Sequence, residues 1–283
     1  MISRSVATGP SIWIDGSPAE ALPLPDRGLD FGDGLFETML VHQGSPLLLD
    51  YHWQRLTVGL QTLGFPDTFD HARACLEAAC HSLASHPWVA LRLTVTRGGA
   101  PRGYAPPADA EPRVVITAAP LSQDRRELAA PARIDWAELR WSSQPALAGL
   151  KHLNRLEQVM AAREAQRQGL DEVLVMDQSG NPCSVSAGNI FLASEGRLHT
   201  PALELCGVAG TRRRFVLEQV APALGIPAEE GVVTREQILG ADELFYCNSL
   251  RGLQSVAALG STEWQSFPLC EALHQQYWKS LKC

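Results

Sequence analysis

The sequence predicts an α+β protein in two domains with largely antiparallel sheets. Three observations carry that expectation. Strand-like and helix-like runs mix without the regular β-α rhythm of a doubly wound sheet. Apolar residues make up 45% and charged residues 19% of 283, enough to bury a sizeable core. Apolar periodicity lapses once, in PLSQDRRELA (119–128). A linker is expected there, between a small α+β domain over 1–118 and a larger domain over 129–283.

The elements follow in order. SIWIDGSP reads as a short strand and turn, and ETMLVHQGSPLLLD as two strands around a Gly-containing turn. Asp50 is placed to cap a helix that carries Leu56, Leu60 and Leu63 on one face. Residues 67–84 predict a second helix with Ala72, Cys75, Leu76 and Cys80 inward. WVALRLTVTR alternates Val89, Leu91, Leu93 and Val95 against Arg92, Thr94 and Thr96, the pattern of a half-buried strand. A Gly/Pro-rich loop and the strand RVVITAAP complete the first domain. In the second, ARIDWAELRW predicts a strand, and Asn154 to Gln168 a helix closed by Gly169. EVLVMD and PCSVSAGNIFLA flank the turn QSGN as two strands. Gly210 opens a helix through Leu224, DELFYCNS is a strand, and an amphipathic helix spans 266–281.

Several function classes are excluded early. A formal charge of -7 argues against nucleic acid or an anionic membrane surface as partner. No apolar run approaches the ~18 residues of a membrane helix. The start, MISRSVATGPSIWIDG, has one Arg and no apolar stretch, so a cytoplasmic protein is expected. Seven cysteines, an odd number without a CxxC, fit neither a zinc site nor a disulfide framework. No HExxH or GxSxG occurs, and no metal is expected.

Lysine usage is more informative. Only Lys151, Lys279 and Lys282 are present, against 21 arginines, and Lys151 stands alone in mid-chain. Unlike arginine, a desolvated lysine can lose its proton and become a nucleophile. Three segments suit an anion: GVAGTRRR (207–214) at a loop-to-helix junction, CNSLRG (247–252) at a strand end, and Arg55 on a helix. Each alone is as ordinary as any turn or solvated arginine. With the lone lysine they suggest an aldehyde cofactor with a phosphate tail, as in pyridoxal phosphate.

LDFGDGLFET (29–38), HWQRL (52–56), GLKHLNRLEQ (149–158), SAGNIF (186–191), GVAGTRRR and FYCNSL occur in the order found in class IV aminotransferases, the fold-type IV pyridoxal-phosphate enzymes. GLKHLNRLEQ and TRGGAPRGY (96–104) most resemble the branch that acts on 4-amino-4-deoxychorismate. The resemblance implies a lyase of folate biosynthesis that eliminates pyruvate and leaves 4-aminobenzoate. It also implies a smaller N-terminal α+β domain, a larger C-terminal domain of mostly antiparallel β-sheet or barrel, and a homodimer with the cofactor between the two domains.

The resemblance assigns roles by position. Lys151 matches the lysine that holds the cofactor covalently, and Arg55 an arginine that contacts its phosphate. Thr211, Arg212, Asn248 and Ser249 match the two phosphate loops. Asn154 is three residues after the lysine and expected to face the cofactor. His152 is expected to be structural, because sequence neighbours do not share a face. The substrate carries two carboxylates, so Arg97, Arg102 and Tyr104 are expected to face it, with Thr38 lining the same pocket.

One position departs from the family. Ser184 stands where a glutamate usually keeps the pyridine nitrogen protonated. Losing a buried ion pair of ~3 kcal/mol would cost roughly two decades in a carbanion-forming step. Two rival readings follow: a D-amino-acid or branched-chain transaminase, and a weakened cofactor-binding homologue without activity. A transaminase depends strongly on a protonated ring, which Ser184 disfavours; the weakened homologue would bind cofactor yet release no pyruvate.

Overall fold

The computed structural model describes residues 11–100 and 102–281. The chain forms two compact units, Met1–Asp124 and Arg125–Cys283.

The first unit runs β1 (Ser11–Ile14), β2 (Ser17–Pro18), α1 (Arg27–Phe31), β3 (Gly34–His42), β4 (Ser45–Pro46), α2 (Leu49–Thr62), α3 (Phe69–Ser82), β5 (Trp88–Thr96) and β6 (Arg113–Pro120). Its sheet is antiparallel in the order β2-β1-β6-β5-β3-β4. Leu35 lies opposite Val95 and Met39 opposite Leu91, so the predicted inward residues of β5 share one buried face with β3. The helix α2 seats on that face at Gly59, where a Cβ would come within 2.8 Å of Leu35 Cδ1. Asp50 is not the cap of α2. Left-handed Leu48 begins the helix and Asp50 sits in its first turn, where its charge complements the helix dipole. The short helix α1, capped by Asp26, lies within the FGDG motif region and has too few residues to show a periodicity.

The second unit runs β7 (Ala132–Arg140), α4 (Leu156–Gln168), β8 (Glu172–Met176), β9 (Pro182–Val185), β10 (Gly188–Ser194), β11 (Arg197–Pro201), α5 (Thr211–Phe215), a π-helical turn (Val216–Val220), α6 (Ala221–Ala223), β12 (Ala228–Gly231), α7 (Arg235–Leu239), β13 (Glu243–Asn248), β14 (Gly252–Leu259), β15 (Thr262–Glu263) and α8 (Pro268–Leu281). Six strands, in the order β10-β13-β14-β7-β8-β9, close on themselves because β9 also pairs with β10. A closed sheet removes its own exposed edges. One apolar cluster takes residues from all six strands, among them Ile134, Leu174, Val185, Ile190, Tyr246 and Val256. Leu174 belongs to it while its neighbours Val173 and Val175 face α4, so the cluster lies on the inner face.

The α+β class is as the sequence predicts. Two details differ. β7 runs parallel to both its neighbours, β8 and β14, which no local pattern announces. The segment PCSVSAGNIFLA is two strands, not one, broken by a turn at 186–187.

Outside the barrel, α4 packs Ala161 and Ala165 against Val173 and Val175. It ends on left-handed Gly169, as its sequence demands. Six cysteines, Cys75, Cys80, Cys183, Cys206, Cys247 and Cys270, are free and buried. Cys283 and Lys282 lie outside the described residues. Among the described residues, no helix is long and apolar enough to cross a membrane, and no group of three potential ligands could hold a metal ion.

Candidate active site

Lys151 is half-buried and lies in a non-helical stretch just before α4. That stretch is fixed by backbone bonds: Gly149 N–H donates to Gly207 O at 3.1 Å, and Ala209 N–H donates to Gly149 O at 3.0 Å. The lysine loop and the GVAGT loop therefore form one bridge, Gly149 against Val208. Arg155 clasps the lysine from both sides. Its Nε donates to His152 O at 2.8 Å and its Nη2 to Leu150 O at 3.0 Å, the carbonyls that flank residue 151. Sequence reasoning missed Arg155, although an arginine four residues after the lysine is visible in GLKHLNRL.

Asn154 is exposed and precedes the helix, which begins at Leu156. The predicted helix start at Asn154 is therefore corrected to Leu156. Asn154 lines a cavity of about 290 Å³ with Trp141, Leu147, His152 and Arg155, and Lys151 is not part of that lining.

His152 is half-buried beside Lys151. Burial, reinforced by Arg155 and opposed by Glu157, pushes its imidazole down to about 4. Below the ordinary value of 6.5 the unfolded chain takes up a proton that the folded chain refuses until about pH 4. Stability should therefore fall as pH drops through that window. Urea unfolding across it should show a shallower pH slope in His152→Leu than in the wild type.

Beyond the bridge the chain builds a cradle for an anion. A Cβ at Gly210 would lie 2.0 Å from Asn189 Oδ1, so only glycine fits. Asn189 Nδ2 donates to Val208 O at 2.9 Å and ties the loop to β10. Gly210 is the extended N-cap of α5 and has no side chain to cap the N–H groups of the first turn. Thr211 and Ser249 bring their hydroxyls to 3.5 Å, joining the two segments that the sequence singled out. Asn248 shapes the second of them: its Oδ1 accepts from Leu250 N–H and Arg251 N–H, and its Nδ2 donates to Ala187 O.

Arg212 is 2% exposed, its guanidinium lies 4.1 Å from the Tyr277 ring centre, and its Nη2 donates to Ser249 O at 3.0 Å. Its Nε and Nη1 are buried without a hydrogen bond among the described residues. A buried cation so sparsely partnered fits a site that receives an anion. The donor set suits a phosphate monoester.

Ser184, on β9, is 6% exposed. Its Oγ accepts a hydrogen bond from Trp141 Nε1 at 2.9 Å. Its cross-strand partners are Val175 and Asn189.

The first unit holds the remaining predicted residues. Arg55 donates through Nε to Glu37 Oε1 at 2.8 Å and through Nη2 to Glu37 Oε2. His52 Nδ1 meets Glu37 Oε2 at 2.5 Å. Burial alone would raise the Glu37 carboxyl, but Arg55 and His52 outweigh it and hold it at about 2. His52 and Arg55 lie three apart on α2, one face of a helix, a spacing that could have flagged Glu37 on the facing strand.

Arg97 was expected at a substrate carboxylate, and the structure places its guanidinium elsewhere. Its Nε donates to Asp33 at 2.8 Å, its Nη1 to Gly64 O and its Nη2 to Leu63 O, and it stacks over Phe65. A guanidinium bound through all three nitrogens inside one unit is part of that unit's framework. Asp33 also accepts from Arg27 Nε, and Arg27 holds the carbonyls of Gly103 and Tyr104. Asp33, whose carboxyl burial would raise but Arg97 and Arg27 hold below its usual value, thus links Arg97 to the arginine that holds the Gly103 and Tyr104 carbonyls. Arg102 and Tyr104 are exposed on the 98–104 loop, with Tyr104 5.3 Å from the Phe31 ring, and Thr38 is half-buried on β3 opposite Arg92.

Comparison with known proteins places this geometry among relatives. The family model described as amino-transferase class IV matches residues 34–259. An aminodeoxychorismate lyase of Vibrio harveyi is 32% identical over 254 residues, 89% of this chain and 92% of that protein. The crystal structure of a 4-amino-4-deoxychorismate lyase from Pseudomonas aeruginosa superposes with a TM-score of 0.89. Its identity is 39%, and the match covers 96% of this chain and all of that one. A D-alanine aminotransferase of Bacillus licheniformis is 28% identical over 80% of this chain and 78% of that protein.

Proposed function

Because this chain belongs to the class IV aminotransferase family and has its α+β fold, we propose that it is a pyridoxal-phosphate-dependent 4-amino-4-deoxychorismate lyase. The observation that carries this reading is the Gly149–Val208 bridge, which couples the lone mid-chain lysine to an anion cradle. The lyases of Vibrio harveyi and Pseudomonas aeruginosa, at 32% and 39% identity, support the choice of reaction.

The residues present fit the cofactor. Thr211, Ser249 and the N–H groups after Gly210 would hold its phosphate, with Arg212 supplying positive charge behind them. Bound pyridoxal phosphate supplies an aldehyde for covalent attachment and a ring that accepts an electron pair. Lys151, whose backbone Arg155 anchors through the carbonyls of Leu150 and His152, supplies the amine and then acts as general base. It takes the proton from the substrate carbon that bears nitrogen. The electron pair left behind expels the enolpyruvyl oxygen as the C–O bond breaks. The proton returns to the methylene carbon of the leaving group, giving pyruvate, so no water or second substrate is consumed. The remaining ring becomes aromatic, a thermodynamic pull that lowers the demand on the cofactor as an electron sink.

A second reading, a transaminase, is favoured by the D-alanine aminotransferase at 28% identity. One experiment separates the two. The purified enzyme should release stoichiometric pyruvate and 4-aminobenzoate from 4-amino-4-deoxychorismate. It should fail to convert its cofactor to the amine form with D-alanine or a branched-chain amino acid. Turnover with those amino acids and 2-oxoglutarate, without pyruvate release from the chorismate, would establish the transaminase instead.

A further inference from the structure

We propose that Trp141 sets the Ser184 hydroxyl as a proton donor, so that this chain holds the cofactor's ring nitrogen unprotonated. The inference rests on the reading above and on the family resemblance, which implies that residue 184 is that nitrogen's partner. It begins from a hydrogen bond with only one possible direction. An indole N–H donates and cannot accept, so at 2.9 Å the Ser184 oxygen must be the acceptor. Trp141 is 2% exposed and Ser184 6%, so water does not compete for either atom.

The hydroxyl has one proton left to give. In this structure that proton goes to the Cys183 sulfur, a weak acceptor. A ring nitrogen carrying a lone pair is a far better one. A protonated nitrogen would instead bring a positive charge into a buried place where residue 184 offers no carboxylate to pair with it. Val175 and Asn189 flank Ser184 across the sheet, and neither is acidic. The two acids on the adjoining strand and turn are engaged elsewhere. Asp177 accepts from Asn181 N–H at 2.9 Å, and Glu172 accepts from the Ser186 hydroxyl. An unpaired buried charge is disfavoured by several kcal/mol in general, so the neutral ring is the form this environment accepts.

Trp141 is thus a positioning residue. It touches Ser184 and acts on the ring through it. The consequence is chemical: a neutral ring is a weaker electron sink, adequate for an elimination pulled forward by aromatisation and poor for amino-group exchange.

The test uses holoenzyme loaded with pyridoxal phosphate labelled with nitrogen-15 in the ring. The wild type should give a ring-nitrogen signal in the neutral pyridine range at neutral pH. Ser184→Glu should move it to the pyridinium range. Ser184→Ala removes the donor, and the signal should shift in the direction of a pyridine that has lost its hydrogen bond. Trp141→Phe frees the hydroxyl, and cofactor affinity should fall about tenfold, as for one buried hydrogen bond. If Trp141→Phe does not fold, the two Ser184 variants decide the matter alone. A pyridinium signal in the wild type, or a signal unmoved by Ser184→Glu, overturns the inference. Borohydride trapping on a separate sample keeps the two readings apart. A protein that traps no cofactor on Lys151 overturns the cofactor reading itself, whereas a trapped but protonated ring overturns only this inference.

Discussion

Lys151→Ala should abolish pyruvate release, with a loss of about 10⁴-fold or more, because one side chain supplies both the attachment point and the general base. Borohydride treatment of the wild type should leave a reduced cofactor on residue 151, and the variant should show none by mass spectrometry. Lys151→Arg sharpens the test. Arginine keeps the charge and length but cannot lose its proton, so this variant should be equally inactive. Thermal unfolding of both should stay near that of the wild type. The loop is held by the Gly149–Gly207 and Ala209–Gly149 bonds and by Arg155, none of which uses the side chain at 151. Activity within tenfold of wild type in Lys151→Arg would remove the lysine from the chemistry.

The loop around Lys151 also marks where sequence reasoning reached and where it stopped. Lysine scarcity pointed to residue 151, and glycine spacing pointed to the cradle, because both are local signals. The helix after the lysine begins two residues later than predicted, and that small shift leaves Asn154 outside it. Arg155 carries no periodicity of its own, and its role exists only once the carbonyls of Leu150 and His152 converge on it. Arg97 misled for the same reason. Its loop is Gly-rich and looks solvated, yet Asp33, Leu63 and Gly64 reach it from distant parts of the first unit. In the barrel, alternation identified individual strands. The parallel pairing of β7 on both sides is a property of the closed sheet and leaves no trace in any single strand. Ser184 shows the opposite case: the sequence exposed the departure, and only the Trp141 contact shows what the serine's hydroxyl can still do.

Glu37→Gln should be the most destabilising of the conservative substitutions in the first unit. Its carboxylate is 1% exposed and is the shared partner of Arg55 and His52. Neutralising it leaves a guanidinium that is only 11% exposed facing an amide that can accept at one oxygen. Removing one partner of such a buried pair costs about 3–5 kcal/mol, in contrast to replacing the whole group by apolar residues. The change should be visible as a drop in unfolding midpoint of about 10 °C or more. Acid supplies an independent check on the same residue. The folded carboxyl ionises at about 2 and the ordinary value is 4.5, so between them the unfolded chain binds a proton that the folded chain does not. Glu37 therefore stabilises the fold fully above the ordinary value, and this contribution is lost as pH falls toward 2. The difference of 2.5 (4.5 minus 2) corresponds to about 3 kcal/mol. Urea unfolding at neutral pH and near pH ~3 should show a steep loss in the wild type and a shallow one in Glu37→Gln. Equal slopes in the two proteins would mean that the carboxylate is not the buried anion on which Arg55 and His52 converge.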